Sequence, residues 1–64
     1  MLGVIKKTAK RPRKGSPYGF IVGQDGRDYY FPLDDTSLTA GQKVQFEGSK
    51  NERGFVAEKV TAFT

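Results

Sequence analysis

The sequence predicts an all-β domain whose five short strands close into a small barrel. No segment of the 64 residues sustains helical periodicity. Short runs rich in β-branched and aromatic residues are separated by turn chemistry, and eight glycines punctuate the chain. Five strands in so short a chain are most economically closed on themselves, because an open sheet of this size leaves its edges unprotected. The length implies one domain, 1–64, near the lower limit for a core that holds without staples.

Strands are expected near 2–8, 18–23, 28–33, 42–48 and 53–62. The segment "AKRPRKGSP" between the first two reads as a loop, broken by Pro12, Gly15 and Pro17. "DDTSLTAG" reads as a second loop with a helical turn around Thr36–Leu38, and "GSKNERG" as a third.

The turn "GQDGR" sets the register of the central hairpin. A two-residue Asp25-Gly26 turn would place Phe20 opposite Phe31. A three-residue loop, Gln24-Asp25-Gly26, uses a type I turn with Gly26 left-handed in a bulge, and sets Phe20 opposite Tyr30 and Ile21 opposite Tyr29. Burial favours the second choice. It sends Ile21, Tyr29 and Phe31 to one face, with Gly19 leaving room beside them, and keeps the charge of Asp28 out of the interior. Tyr18, Phe20 and Tyr30 then lie outside, beside Val22 and Pro32. Period-two alternation on all strands gives an expected core of Val4 or Ile5, Ile21, Tyr29, Phe31, Val44, Phe46, Ala57 and Val60. Ala57 and Val60 share a face only across a bulge.

Composition narrows the function. With no cysteine and no histidine, there is no disulfide framework, no thiolate metal site and none of the commonest general base. Ser16, Ser37 and Ser49 have no partner that could activate them, so no enzyme is expected. Asp25, Asp28, Asp34 and Asp35 lack the ligand density of a calcium loop. Turn formation by Asp25 and capping by Asp34 and Asp35 explain them better. Gly19, Gly23 and Gly26 open no helix and so form no phosphate loop. No metal or other cofactor is therefore expected. No apolar run approaches a membrane span, and "MLGVIKK" lacks the long apolar segment of a signal peptide, so a cytoplasmic protein with no membrane partner and no small-molecule substrate is expected.

The net charge of +4 is unevenly spread. Residues 1–17 hold six bases and no acid: Lys6, Lys7, Lys10, Arg11, Arg13 and Lys14. The remainder has five bases against seven acids. A basic first quarter on a mildly acidic body suggests a polyanion partner; the alternative is a solvated basic loop. Three exposed rings on adjacent strands beside such a charge suggest a platform on which bases stack while the cations neutralise phosphates.

"YGFI" followed by "DYYF" resembles the paired nucleic-acid-binding motifs of cold-shock domains. Tyr18, Gly19, Phe20 and Ile21 match the last four positions of the family's first motif, with Ser16 and Pro17 in place of its lysine and glycine. Tyr30 stands where the second motif has a stacking phenylalanine. "LTAGQKVQFE" and "NERGFVAEKV" are similar to the family's last two strands, with Arg53 at a basic binding position, and "LGVIKK" resembles its first strand, with Lys6 at a lysine position. The resemblance spans essentially the whole chain. It implies a five-stranded OB-type barrel that binds single-stranded RNA or DNA.

There are departures. Lys7 and Thr8 replace a tryptophan and a phenylalanine, and Pro32 and Leu33 replace a histidine and a phenylalanine. The first loop is longer and more basic, and the loop after the third strand is shorter and has lost its aromatic. Phe55 stands where the family has proline, either as an added ring near Arg53 or as ordinary strand packing.

Two function classes follow. One is a single-stranded nucleic-acid chaperone using Lys6, Lys7, Lys10, Arg11, Arg13, Lys14, Tyr18, Phe20, Tyr30, Arg53 and Phe55. The other is a protein-interaction module docking a peptide or another subunit on the same rings.

Overall fold

The computed structural model describes residues 1–10, 13, 15–33 and 38–63. The described residues form five strands: β1 (Leu2–Ala9), β2 (Tyr18–Gly23), β3 (Asp28–Pro32), β4 (Lys43–Asn51) and β5 (Gly54–Ala62). They close into an OB-type barrel in the order β1-β2-β3-β5-β4. All neighbours are antiparallel except β3 and β5, which meet in parallel at Tyr30 and Val56. Closure gives every strand a neighbour on both sides, through a single pair where β3 meets β5. No helix among the described residues is long and apolar enough to cross a membrane.

The β2–β3 hairpin has the three-residue loop. Gly23 and Gly26 close the turn through Gly26 N–H donating to Gly23 O at 2.9 Å, and Gly23 N–H donates to Arg27 O at 2.9 Å. Gly26 takes φ = 83°, the left-handed geometry that a bulged turn of this kind requires. Phe20 is therefore opposite Tyr30, Ile21 opposite Tyr29 and Tyr18 opposite Pro32.

Two bulges re-aim side chains. Ile5 pairs with Ile21 and Lys7 with Phe20, so Lys6 is an extra residue on β1. In β5, Lys59 and Val60 lie between partners that only Phe46 separates on β4, and Lys59 has φ = 53°. The second bulge lets Val60 return to the face that Ala57 occupies.

The core consists of Ile5, Ile21, Tyr29, Phe31, Leu33, Leu38, Val44, Phe46 and Ala57, with Phe55 and Val60 packed against it. Ile5, not Val4, is the inward residue of β1, and Val4 is exposed. Val60 is half-buried, a correction to its place in the expected core, because the bulge leaves it at the barrel rim. Leu33 and Leu38 were not expected; they follow β3 and precede β4 and close the barrel from outside the strands.

The expected loop "GSKNERG" is mostly strand. Cross-strand pairing of β4 and β5 continues to Asn51 and Gly54, leaving a two-residue turn, Glu52-Arg53. Gly48, where the strand was expected to end, instead lets Tyr29 approach, since a Cβ there would lie 3.0 Å from its ring. The helical turn and the Asp34 and Asp35 caps lie largely outside the described residues, as do Arg11 and Lys14.

Candidate functional site

Alternation along β2 and β3 places Tyr18, Phe20 and Tyr30 on the outer face of the barrel. The rings touch one another. Tyr18 and Tyr30 are stacked at 5.7 Å with 26° between planes. Phe20 meets Tyr18 edge-on at 6.0 Å and Tyr30 edge-on at 5.9 Å. These are favoured geometries for aromatic pairs, and they hold the cluster in one arrangement before any ligand arrives. Tyr30 is 42% exposed, while Tyr18 and Phe20 are half-buried by their neighbours.

Cations border the cluster. Lys7, opposite Phe20, carries its Nζ to 5.4 Å from that ring's centre. The β1 bulge brings Lys6 out on the same side, where its Nζ lies 3.2 Å from Asp28 Oδ2. That ion pair is half-exposed and so worth little, leaving Lys6 free to exchange partners. Ala9 is opposite Tyr18, so exposed Lys10 leaves the strand beside the cluster. Arg13 is exposed in the loop that follows.

Arg53 sits in the β4–β5 turn, its backbone N–H donating to Asn51 Oδ1 at 2.9 Å. A groove of about 420 Å³ joins it to the platform, lined by Phe20, Tyr30, Asn51, Arg53, Phe55 and Val56. Phe55 lies between the core and the groove. It packs on Tyr29 at 5.7 Å and also borders the groove. Two residues not expected at the site, Arg27 and Lys50, lie over its ring. Lys50 is directly opposite Phe55, a pairing readable only once the turn is placed at Glu52-Arg53.

Asp25 does structural work in the exposed β2–β3 turn. Its Oδ1 accepts from Arg27 N–H at 3.1 Å and its Oδ2 accepts from the Tyr29 hydroxyl at 2.6 Å. The tyrosine bond, with help from the Arg27 amide and charge, holds the Asp25 carboxyl below the usual carboxylate range. The same bond pushes the Tyr29 hydroxyl above the usual phenol range. The Tyr29 ring is buried while its hydroxyl reaches the barrel rim, where the pair is partly solvated. Among the described residues no group of three acidic side chains gathers as a metal site.

Fold and face together define a small OB-type barrel carrying an exposed, pre-packed aromatic cluster edged by cations. No protein-family model matches the chain, and no curated protein matches it in sequence.

Proposed function

We propose that this chain binds single-stranded RNA or DNA in the manner of a cold-shock domain and acts as a chaperone that keeps strands unpaired. The observation that carries this reading is the cluster of Tyr18, Phe20 and Tyr30 on one outer face, with Lys7 against it. A base presents a flat π-face to such rings, worth about 1–3 kcal/mol per base, and a duplex hides those faces. Lys6, Lys7, Lys10, Arg11, Arg13 and Lys14 supply a sequence-independent attraction to phosphates. No bond is made or broken. Strand opening follows from mass action, since only the unpaired form is bound.

The competing use of the same face is docking of a peptide. A peptide groove favours proline-rich or acidic ligands and depends less steeply on salt. Binding of a short oligonucleotide and of its duplex, each measured across a salt series, separates the two. The proposal expects preference for the single strand and a slope of about 0.7 per phosphate neutralised. Equal binding of both forms, or none, rejects it.

A further inference from the structure

Arg27 and Lys50 come from different hairpins and converge on one ring. The Arg27 guanidinium carbon is 4.8 Å and the Lys50 Nζ 5.6 Å from the centre of Phe55. Tyr29 supports that ring from the core side at 5.7 Å, so Phe55 is fixed in place. Among the described residues neither cation has a carboxylate within ion-pair distance, whereas Lys6 and Lys59 do. Asp25, on the same turn as Arg27, is bonded to the Tyr29 hydroxyl and the Arg27 amide; it feels the Arg27 charge but forms no ion pair with it.

Two like charges gathered on one ring repel each other, and an anion placed between them removes that repulsion. The ring offsets part of the cost through cation–π attraction and holds both side chains ready. Arg53 lies in the adjoining turn, and the groove of about 420 Å³ leads from Phe20 and Tyr30 to Phe55. Arg27 and Lys50 line a second hollow of about 250 Å³, with Tyr29 and Ser49, that shares only the Phe55 ring with the groove.

We propose that Arg27 and Lys50, held over Phe55, form a phosphate-binding site in the adjoining hollow across that ring, so that a bound strand continues beyond the three-ring platform onto the β4–β5 hairpin. Phe55 is a positioning residue here and not a stacking surface. This inference rests on the single-strand reading above and adds the direction and length of the tract.

The test compares oligothymidylates of about four and about eight nucleotides, the shorter able to fill little more than the platform. Affinity is followed by fluorescence anisotropy across a salt series. The Arg27→Gln/Lys50→Gln variant should leave the short oligonucleotide's affinity unchanged. For the long one it should reduce the salt slope by about 1.4, the value for two phosphates on a single strand, and weaken binding roughly tenfold or more near 0.1 M salt. Phe55→Leu, which keeps apolar volume without a π-face, should lose part of the same slope, and Phe55→Tyr should restore it. A wild-type slope on the long oligonucleotide in Arg27→Gln/Lys50→Gln overturns the inference, and both substituted positions are exposed, so folding does not confound it. Phe20→Ala serves as the platform control. If it weakens both lengths while Arg27→Gln/Lys50→Gln alters neither, this inference fails and the single-strand reading stands. If the wild-type chain binds neither length, both fail.

Discussion

The two faces of the β2–β3 hairpin are built from the same kinds of residue and have opposite fates. On the inner face Tyr29 and Phe31 are 3% and 1% exposed and lie among Ile5, Ile21, Val44 and Phe46. On the outer face Tyr18, Phe20 and Tyr30 pack on one another, with the Lys7 ammonium over Phe20. Inside, each ring removes apolar area from water and fills space to which the rest of the barrel has adjusted. Outside, the rings keep one side toward water, and Tyr30 is 42% exposed. Strand alternation makes such a division possible, and the three-residue turn decides which set goes where. Aromatic content by itself therefore says nothing about stability; the parity of a position does.

The comparison breaks most visibly on the inner side. Phe46→Ala or Phe31→Ala should cost about 3–5 kcal/mol, comparable with the whole stability of a small domain. Urea unfolding reads this directly, and a cooperative transition with an unchanged midpoint would remove the residue from the core. Gly19→Ala tests the same face from the backbone. A Cβ there would lie 2.6 Å from Phe31 Cε1, on a ring with no room to retreat, so a loss of about 1–3 kcal/mol is expected. A neutral Gly19→Ala would mean that Phe31 is not tightly held.

A smaller effect sharpens the comparison at the rim. Asp25 titrates below its unfolded value in the folded state, so its bond to Tyr29 contributes stability above about pH 4, lost as pH falls through the folded value. Tyr29 titrates above its unfolded value, so the same bond contributes below about pH 10 and is lost as pH rises through the folded value. Tyr29→Phe should lower the melting temperature at neutral pH and flatten both limbs of its pH dependence. Limbs identical to wild type would mean the bond carries no stability.

Much of this arrangement was legible in the residues. The barrel, the β2–β3 register and the bulge before Val60 follow from alternation and from the preference of Gly26 for a left-handed turn. Leu38 lies outside the strands, where period-two alternation has nothing to say, whereas Leu33 ends the expected strand 28–33 and continues the inward parity of Tyr29 and Phe31, so alternation alone places it in the core. The β4–β5 hairpin departs from its sequence pattern for a different reason. "GSKNERG" carries the glycines and polar residues of a loop, yet pairing between strands already committed to the barrel extends through Asn51 and overrides local propensity. Local sequence therefore does not show the pairing of Lys50 with Phe55, nor the Lys50 cation over that ring. The bulge at Lys6, which brings two lysines out together, leaves no mark in the alternation of β1 that could be told from an ordinary strand end.

The outer face carries the central claim, and paired measurements on Tyr30→Ala and Phe20→Ala test it most directly. Single-strand affinity and urea stability are determined for each, with Tyr29→Ala as the inner-face counterpart. Each outer substitution should weaken oligonucleotide binding by about 1–3 kcal/mol. Each should cost stability by no more than about 1 kcal/mol, the scale of a cross-strand pair, while Tyr29→Ala disrupts the fold. Outer variants that fold and bind oligonucleotide as wild type does would contradict the account and leave peptide docking as the use of these rings.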